Sequence, residues 1–495
     1  MSDPADLTAI EARQLIGWRR LSPVELAEAC IARTEAINPA INAVVASDFD
    51  HLREEARKAE AAVVRGDILG PVHGLPFGVK DMIDVTGLPT TFGSDLFRDN
   101  IAVKDDAIVA TMRRAGGLVL GKTNNPEFSA GGNTVNKVYG PTGNPHDPAK
   151  SAAGSSGGSA AALATGMAPL CTGSDTGGSL RNPAAFCGVV GFRPSPGVVP
   201  GNTRGMALMH LPTSGPMART VADTALMLSV MARPDRLDPF TGVLEGKTLW
   251  DPQAFATLPR RDLKSLKIAF TEDFSFAMTE QVIRRAFRKR VDHLAPLFAS
   301  AEETAPDCTD ADRIFAVLRA VMFLGAHHAN TLKHPGRYGP NIMANVEEGL
   351  SYSALDVADV MNRQGVYYRN WQGFFDNHDY ILSPAVTISP RDWHELYPAE
   401  IDGEATQSYY QWLALAYAST IPGHPSVTIP MGRDELGMPF GLQIVGKRYD
   451  DLGVLAVAGE IEALLSGDSE FGPPKPNLEA LMHGQRKLNA SIEAA

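Results

Sequence analysis

Over residues 5–65 the apolar positions recur at helical intervals. Leu26, Ala27, Cys30, Ile31 and Thr34 fall on one face. Ser22-Pro23-Val24-Glu25 opens that run with an N-cap serine, proline at the first helical position and glutamate at the third. Past residue 70 the texture changes to short apolar runs punctuated by glycine and proline. Phe77-Gly78-Val79, Gly117-Leu118-Val119-Leu120, Val189-Val190-Gly191-Phe192 and Ile268-Ala269-Phe270 predict buried strands. Between the first two, residues 105–116 carry an acidic start, helical apolar spacing, a basic last turn and a terminal glycine, the marks of one complete helix. Residues 230–375 are richer in charge and in helix-length patterns, such as 279–300, and strand-like runs return at 380–384, 425–430 and 440–445.

Helix alternating with short buried strand predicts an α/β protein with a largely wound sheet. The boundaries are an N-terminal helical segment at 1–65, a core at 66–230, a mainly helical insertion or cap at 231–375, and strands and helices at 376–495 that complete the same core domain. There is no fixed-period repeat, and low complexity is confined to the Gly/Ser/Ala tract at 151–168.

With 495 residues the chain can bury a sizeable core without a metal or a disulfide. Lys and Arg number 45 against 57 Asp and Glu, a net charge of −12 that argues against nucleic acid or an anionic membrane as the main partner. The four cysteines form no CxxC pair, which suits a reducing compartment. The acidic N-terminus lacks a basic and apolar leader, and no apolar run approaches the roughly 18 residues of a membrane span. The expectation is a soluble, cytoplasmic, globular protein.

Two motifs fit famous expressions without their mechanisms. Residues 116–123 match GxxxxGK[ST], but the positions that would cradle phosphate are Gly-Leu-Val-Leu, a buried strand, and Asn124-Asn125-Pro126 follows instead of a helix. Gly154-Ser155-Ser156-Gly157-Gly158 matches GxSxG, yet a loop precedes it where a nucleophile elbow needs an apolar strand.

The segments richest in chemistry are two Gly/Ser tracts, 153–160 and 173–181. Thr176-Gly177-Gly178-Ser179 can turn successive amides into one concavity, a nest for an anion, and that nest would receive an oxyanion if Ser179 attacked a carbonyl. A pair of glycine-rich turns explains the same composition. A nucleophilic serine also needs a base. None of the twelve histidines stands in a marked context, and His327-His328 lies in a helical stretch as packing or surface. Lys80 directly follows the apolar run Leu75-Pro76-Phe77-Gly78-Val79, so its amine emerges from a strand end, where burial would disfavour the ammonium. For an isolated lysine, snorkelling or pairing with Asp81 or Asp84 is the better reading of that position.

Taken together, the segment from Gly74 to Asp81, the tract from Gly154 to Gly158 and the tract from Gly173 to Arg181 closely resemble the amidase signature family. The order and spacing agree, with 75 residues from Lys80 to Ser155 and 24 from Ser155 to Ser179. The close similarity covers about residues 70–220. The resemblance implies a central mixed twisted sheet covered by helices on both faces. It implies Ser179 as nucleophile, Ser155 as a relay held on a cis peptide bond, and Lys80 as the neutral general base. It further implies the amides of Thr176, Gly177, Gly178 and Ser179 as the oxyanion hole, with Asp175 and Arg181 bracing the loop. The implied reaction is hydrolysis of a small-molecule carboxylic amide through a covalent acyl-enzyme, with no metal or organic cofactor; a homodimer is left open.

Within that family the rival to a stand-alone amidase is the glutaminase-type subunit of an aminoacyl-tRNA amidotransferase. That branch resembles itself around a basic residue for the glutamine carboxylate, and the comparable stretch here, 341–349, has none. The position of its acidic residue falls in the apolar run 412–416. Unpaired glutamine charges would cost several kcal/mol in such a pocket, so an apolar or aromatic amide is the expected substrate. Tyr409, Tyr410, Trp412 and Trp393 are candidates for its lining. A catalytically silent scaffold is the alternative from another class, and the intact serines and lysine argue against it.

Overall fold

A computed structural model describes residues 3–483. The expected local signals act where the sequence places them. Ser22 and Glu25 form a reciprocal capping box on the helix Pro23–Ile41, which ends at Asn42 in a left-handed conformation. Asp106 caps Ala107–Arg114, whose last turn carries Arg113 and Arg114. The GxxxxGK[ST] run becomes the strand Leu118–Thr123, buried at every position.

Eleven strands form one mixed sheet. Their order across it is Val44–Ala46, Leu118–Thr123, Pro76–Lys80, Leu170–Asp175, Thr213–Ala218, Val190–Arg193, Ser426–Arg433, Pro439–Gly446, Tyr380–Pro384, Lys267–Phe270 and Ser300–Glu303. Pro76–Lys80 runs parallel to both its neighbours, whereas the middle of the sheet is antiparallel.

Alternate residues of one strand point to opposite faces, and here they enter different apolar clusters. Tyr380 and Leu382 join one cluster with Ile444, while Ile381 joins the other with Val445. Both faces are therefore covered, and the central strands are continuously apolar for that reason.

The helix expected over 279–300 is shorter, running over Gln281–Leu294. Pro296 then sits in a 3-10 turn, Ala295–Leu297, and the chain returns as the edge strand Ser300–Glu303. That strand is mostly exposed and carries Glu302 and Glu303, so it lacks the apolar signature by which the central strands are read.

Candidate active site

Lys80 is the last residue of Pro76–Lys80 and has no solvent exposure. Its backbone N–H donates to Thr172 Oγ1 at 3.1 Å on the adjacent strand Leu170–Asp175. Two loops meet over it. One, Ala153–Ser156, leads into the helix Gly157–Ala164 and contains a cis peptide bond between Gly154 and Ser155, as the resemblance implied. The other follows Asp175 and enters the helix Arg181–Cys187. The Ser156 N–H donates to the Ser179 carbonyl at 3.2 Å and stitches the loops together. Gly158 lets the start of that helix pack on the chain just past the strand Leu118–Thr123, because a Cβ there would lie 2.2 Å from the Asn124 backbone nitrogen.

Lys80 Nζ lies 2.6 Å from Ser155 Oγ, 3.0 Å from Ser174 Oγ and 3.1 Å from Ser156 Oγ. Burial draws its pKa down to about 7, against a weaker upward pull from the Asp175 carboxylate. Pairing with Asp81 does not occur, since Asp81 Oδ1 lies 3.1 Å from Lys122 Nζ and Asp81 also accepts from Thr91.

Ser155 and Ser179 share a cavity of about 640 Å³ whose floor also includes Ser174, Thr176 and Gly177. Gly178 departs from the expected oxyanion set. It does not line the cavity, and its N–H donates to Asp175 Oδ1 at 2.9 Å. Its φ of +111° is a conformation suited to glycine, and it turns that amide inward.

Asp175 also accepts from the Leu180 N–H at 3.2 Å, from Arg181 Nε and Nη2 at 3.0 Å each, and from Arg193 Nη1 at 3.2 Å. Burial alone would raise the Asp175 carboxyl, but Arg181 and Arg193 hold it well below the usual range. Arg181 reaches onward to the Ala416 carbonyl, Ser419 Oγ, Thr420 Oγ1 and Gln443 Oε1. The loop carrying Ser179 is thus tied through the Arg181 guanidinium to residues 416–420 and to the strand Pro439–Gly446.

The walls include residues that sequence reasoning missed. Phe315, Arg319, Met322, Phe323, Ala326 and His327 present one face of the helix Ala311–Lys333 to the cavity. Their helical spacing, with one arginine in an apolar stripe, was the available signal. His327 therefore lines the cavity, packed between Phe128 and Tyr338, and burial pulls its pKa down to about 4. Tyr409 and Tyr410 line the cavity as expected, whereas Trp412 and Trp393 do not. Trp412 packs against Gly132 and Phe186, and Trp393 stacks on His394. The stretch 341–349 has no basic residue, but Arg319 from the neighbouring helix supplies one and pairs with Glu348 at 2.9 Å.

Among the described residues, no group of three or more His, Cys, Asp or Glu side chains is placed to hold a metal ion, and no helix is long and apolar enough to cross a membrane.

A family model described as Amidase matches residues 25–455. The Acylamidase of Rhodococcus erythropolis is 33% identical over 461 residues, covering 92% of this chain and 95% of that protein. A glutamyl-tRNA(Gln) amidotransferase subunit from Roseiflexus sp. strain RS-1 is 29% identical over 478 residues, covering 91% and 95%. The crystal structure of a bacterial aryl acylamidase of the amidase signature enzymes superimposes with a TM-score of 0.84 at 26% identity, covering 97% of this chain and 98% of that one. Both the sequence match and the shared fold run nearly end to end, and on them the chain belongs to the amidase signature family and is an amide-hydrolysing enzyme.

Proposed function

We propose that this chain is a stand-alone amidase that cleaves an uncharged amide with an apolar or aromatic acyl or amine group, through an acyl-enzyme on Ser179. The observation that carries the reading is a wholly buried Lys80, its pKa drawn to about 7, placed 2.6 Å from Ser155 Oγ at the floor of a cavity that Ser179 also lines. In this scheme neutral Lys80 takes a proton from Ser155 as Ser155 takes one from Ser179. The Ser179 oxygen bonds to the amide carbon, and the carbonyl electrons move to oxygen. The amides of Thr176, Gly177 and Ser179 face that charge, while Gly178 anchors the loop to Asp175. The C–N bond then breaks as Lys80 returns its proton through Ser155 to the leaving amine. Water repeats the sequence on the ester and releases the acid.

An aromatic wall of Phe128, Phe315, Phe323 and Tyr410 supports an aryl or apolar group, and the Rhodococcus relative is named for acylamide cleavage. Four buried, free cysteines support a cytoplasmic location. A fluorophosphonate is expected to label Ser179, and Ser179→Ala to abolish hydrolysis of aryl amides. Label on Ser156 with an active Ser179→Ala would overturn the assignment. Glutamine is expected to react no faster than a simple aryl amide, without a partner protein. Glutaminase activity that needs a co-purifying protein would favour the amidotransferase reading instead.

A further inference from the structure

Arg319 reaches the cavity from the helix Ala311–Lys333 and is only 3% exposed. Its Nη2 donates to Glu348 Oε2 at 2.9 Å, and its Nη1 donates to Tyr409 Oη at 2.6 Å and to Asn345 Oδ1. The guanidinium lies over the Tyr410 ring, 3.6 Å from its centroid. Glu348 stands behind this wall on the helix Pro340–Ser351 rather than in the lining, a quarter exposed. Its other oxygen accepts from Tyr410 Oη at 2.8 Å and Tyr352 Oη at 2.9 Å.

We propose that the Arg319–Glu348 pair determines the charge of the substrate: the Glu348 carboxylate cancels Arg319 and so reserves the cavity for uncharged amides. This rests on the cavity being the amide site. The remaining arginine among the described lining residues, Arg204, is paired with Asp238 at 2.8 Å, and Asp106 is also among the lining residues. An anionic ligand would thus lose its hydration and meet no unpaired cation. The pair is set so that one atom reverses the preference. Glu348→Gln keeps the shape, can keep its one oxygen as acceptor for the tyrosine hydroxyls, and removes both the charge and the acceptor that Arg319 Nη2 uses. Arg319 would then have only neutral acceptors, and a guanidinium in that state suits a carboxylate in two-point contact.

The test uses the full chain carrying Ser179→Ala, so that nothing turns over, and isothermal titration with benzoate and its uncharged counterpart benzamide. Glu348→Gln is expected to tighten benzoate at least tenfold and to change benzamide less than threefold. Adding Arg319→Met should cancel that gain. Unchanged or unmeasurable benzoate binding in Glu348→Gln, or a gain that survives Arg319→Met, would overturn the proposal. Should Glu348→Gln fail to fold, Glu348→Met takes its place with the same expectation: benzoate should tighten at least tenfold and Arg319→Met should cancel the gain, and unchanged benzoate binding refutes the pair. These readouts do not depend on turnover. A binding shift in a protein whose wild type cleaves no amide would keep the charge selection by this pair and remove the amide-site reading it was joined to, whereas amide cleavage without the shift would remove only the inference.

Discussion

A lysine in water titrates near about 10.4 and is almost wholly protonated at neutrality. Lys80 is pulled to about 7 because its amine is enclosed among serine hydroxyls with no carboxylate in contact. Its charged form is the disfavoured one, so the neutral amine that the proposed mechanism needs as a base accumulates as pH rises. kcat/KM for an aryl amide should therefore climb along a single limb with a midpoint of about 7 and stay level above it. His327, near 4, adds no limb above pH 5. Lys80→Ala should abolish the limb and slow amides more than esters, since an amine needs the returned proton; equal slowing would remove Lys80 from that role. Asp175→Asn separates two buried arginines from their carboxylate, and truncating a buried pair costs about 3–5 kcal/mol. Urea unfolding should register a loss of that order, with activity falling alongside because the Gly178 and Leu180 amides lose their anchor. At this scale the meeting of Lys80, Ser155 and Ser179 around one cavity was legible because each sits in a short, ordered motif. The inward turn of Gly178 was not, since it depends on where the Asp175 carboxylate reaches after folding. Arg319 escaped notice because its partner, Glu348, lies 29 residues away on another helix.

Among the elements, Gly157–Ala164 makes the sharpest case for context over propensity. A helical glycine changed to alanine ordinarily gains about 0.5–1 kcal/mol. Gly158→Ala should do the reverse, because the new Cβ would meet the Asn124 backbone at 2.2 Å and the Ala43 carbonyl at 2.7 Å, and backbone does not step aside as a side chain does. A net loss of about 1–3 kcal/mol is expected, read as a lowered Tm, and an unchanged Tm would show that the contact is soft. The central strands and the capped helices were legible because burial on both faces leaves unbroken apolar runs and because Ser22 and Asp106 announce their helices. Ser300–Glu303 was not, since an exposed edge strand with two glutamates carries no such record. The cavity wall on Ala311–Lys333 was half-legible: its stripe reads as helix, but nothing local says whether a stripe faces core or cavity.

Over the whole molecule, Glu462 joins the helix Asp451–Leu465 to the start of Val221–Met231 by accepting the Val221 N–H at 3.0 and 3.1 Å. Burial raises its pKa from 4.5 to about 7. The folded state therefore holds the proton more tightly than the unfolded one. Its contribution is complete below pH 4.5 and is lost as pH rises through about 7. Glutamine does not ionise, so Tm of Glu462→Gln relative to wild type should rise between pH 5 and pH 8, by differential scanning fluorimetry; a constant difference would place the titration elsewhere. The tie from Arg181 to Gln443 has a consequence in time. Those residues stand 262 positions apart, so a ribosome adding about 5–20 residues per second makes the loop of Ser179, already held locally by Asp175, wait tens of seconds for this distant tie. During that interval the nascent chain holds the proposed nucleophile on a loop that lacks its long-range tie, and hydrolytic competence should switch on abruptly once the last strands emerge rather than grow as the polypeptide lengthens.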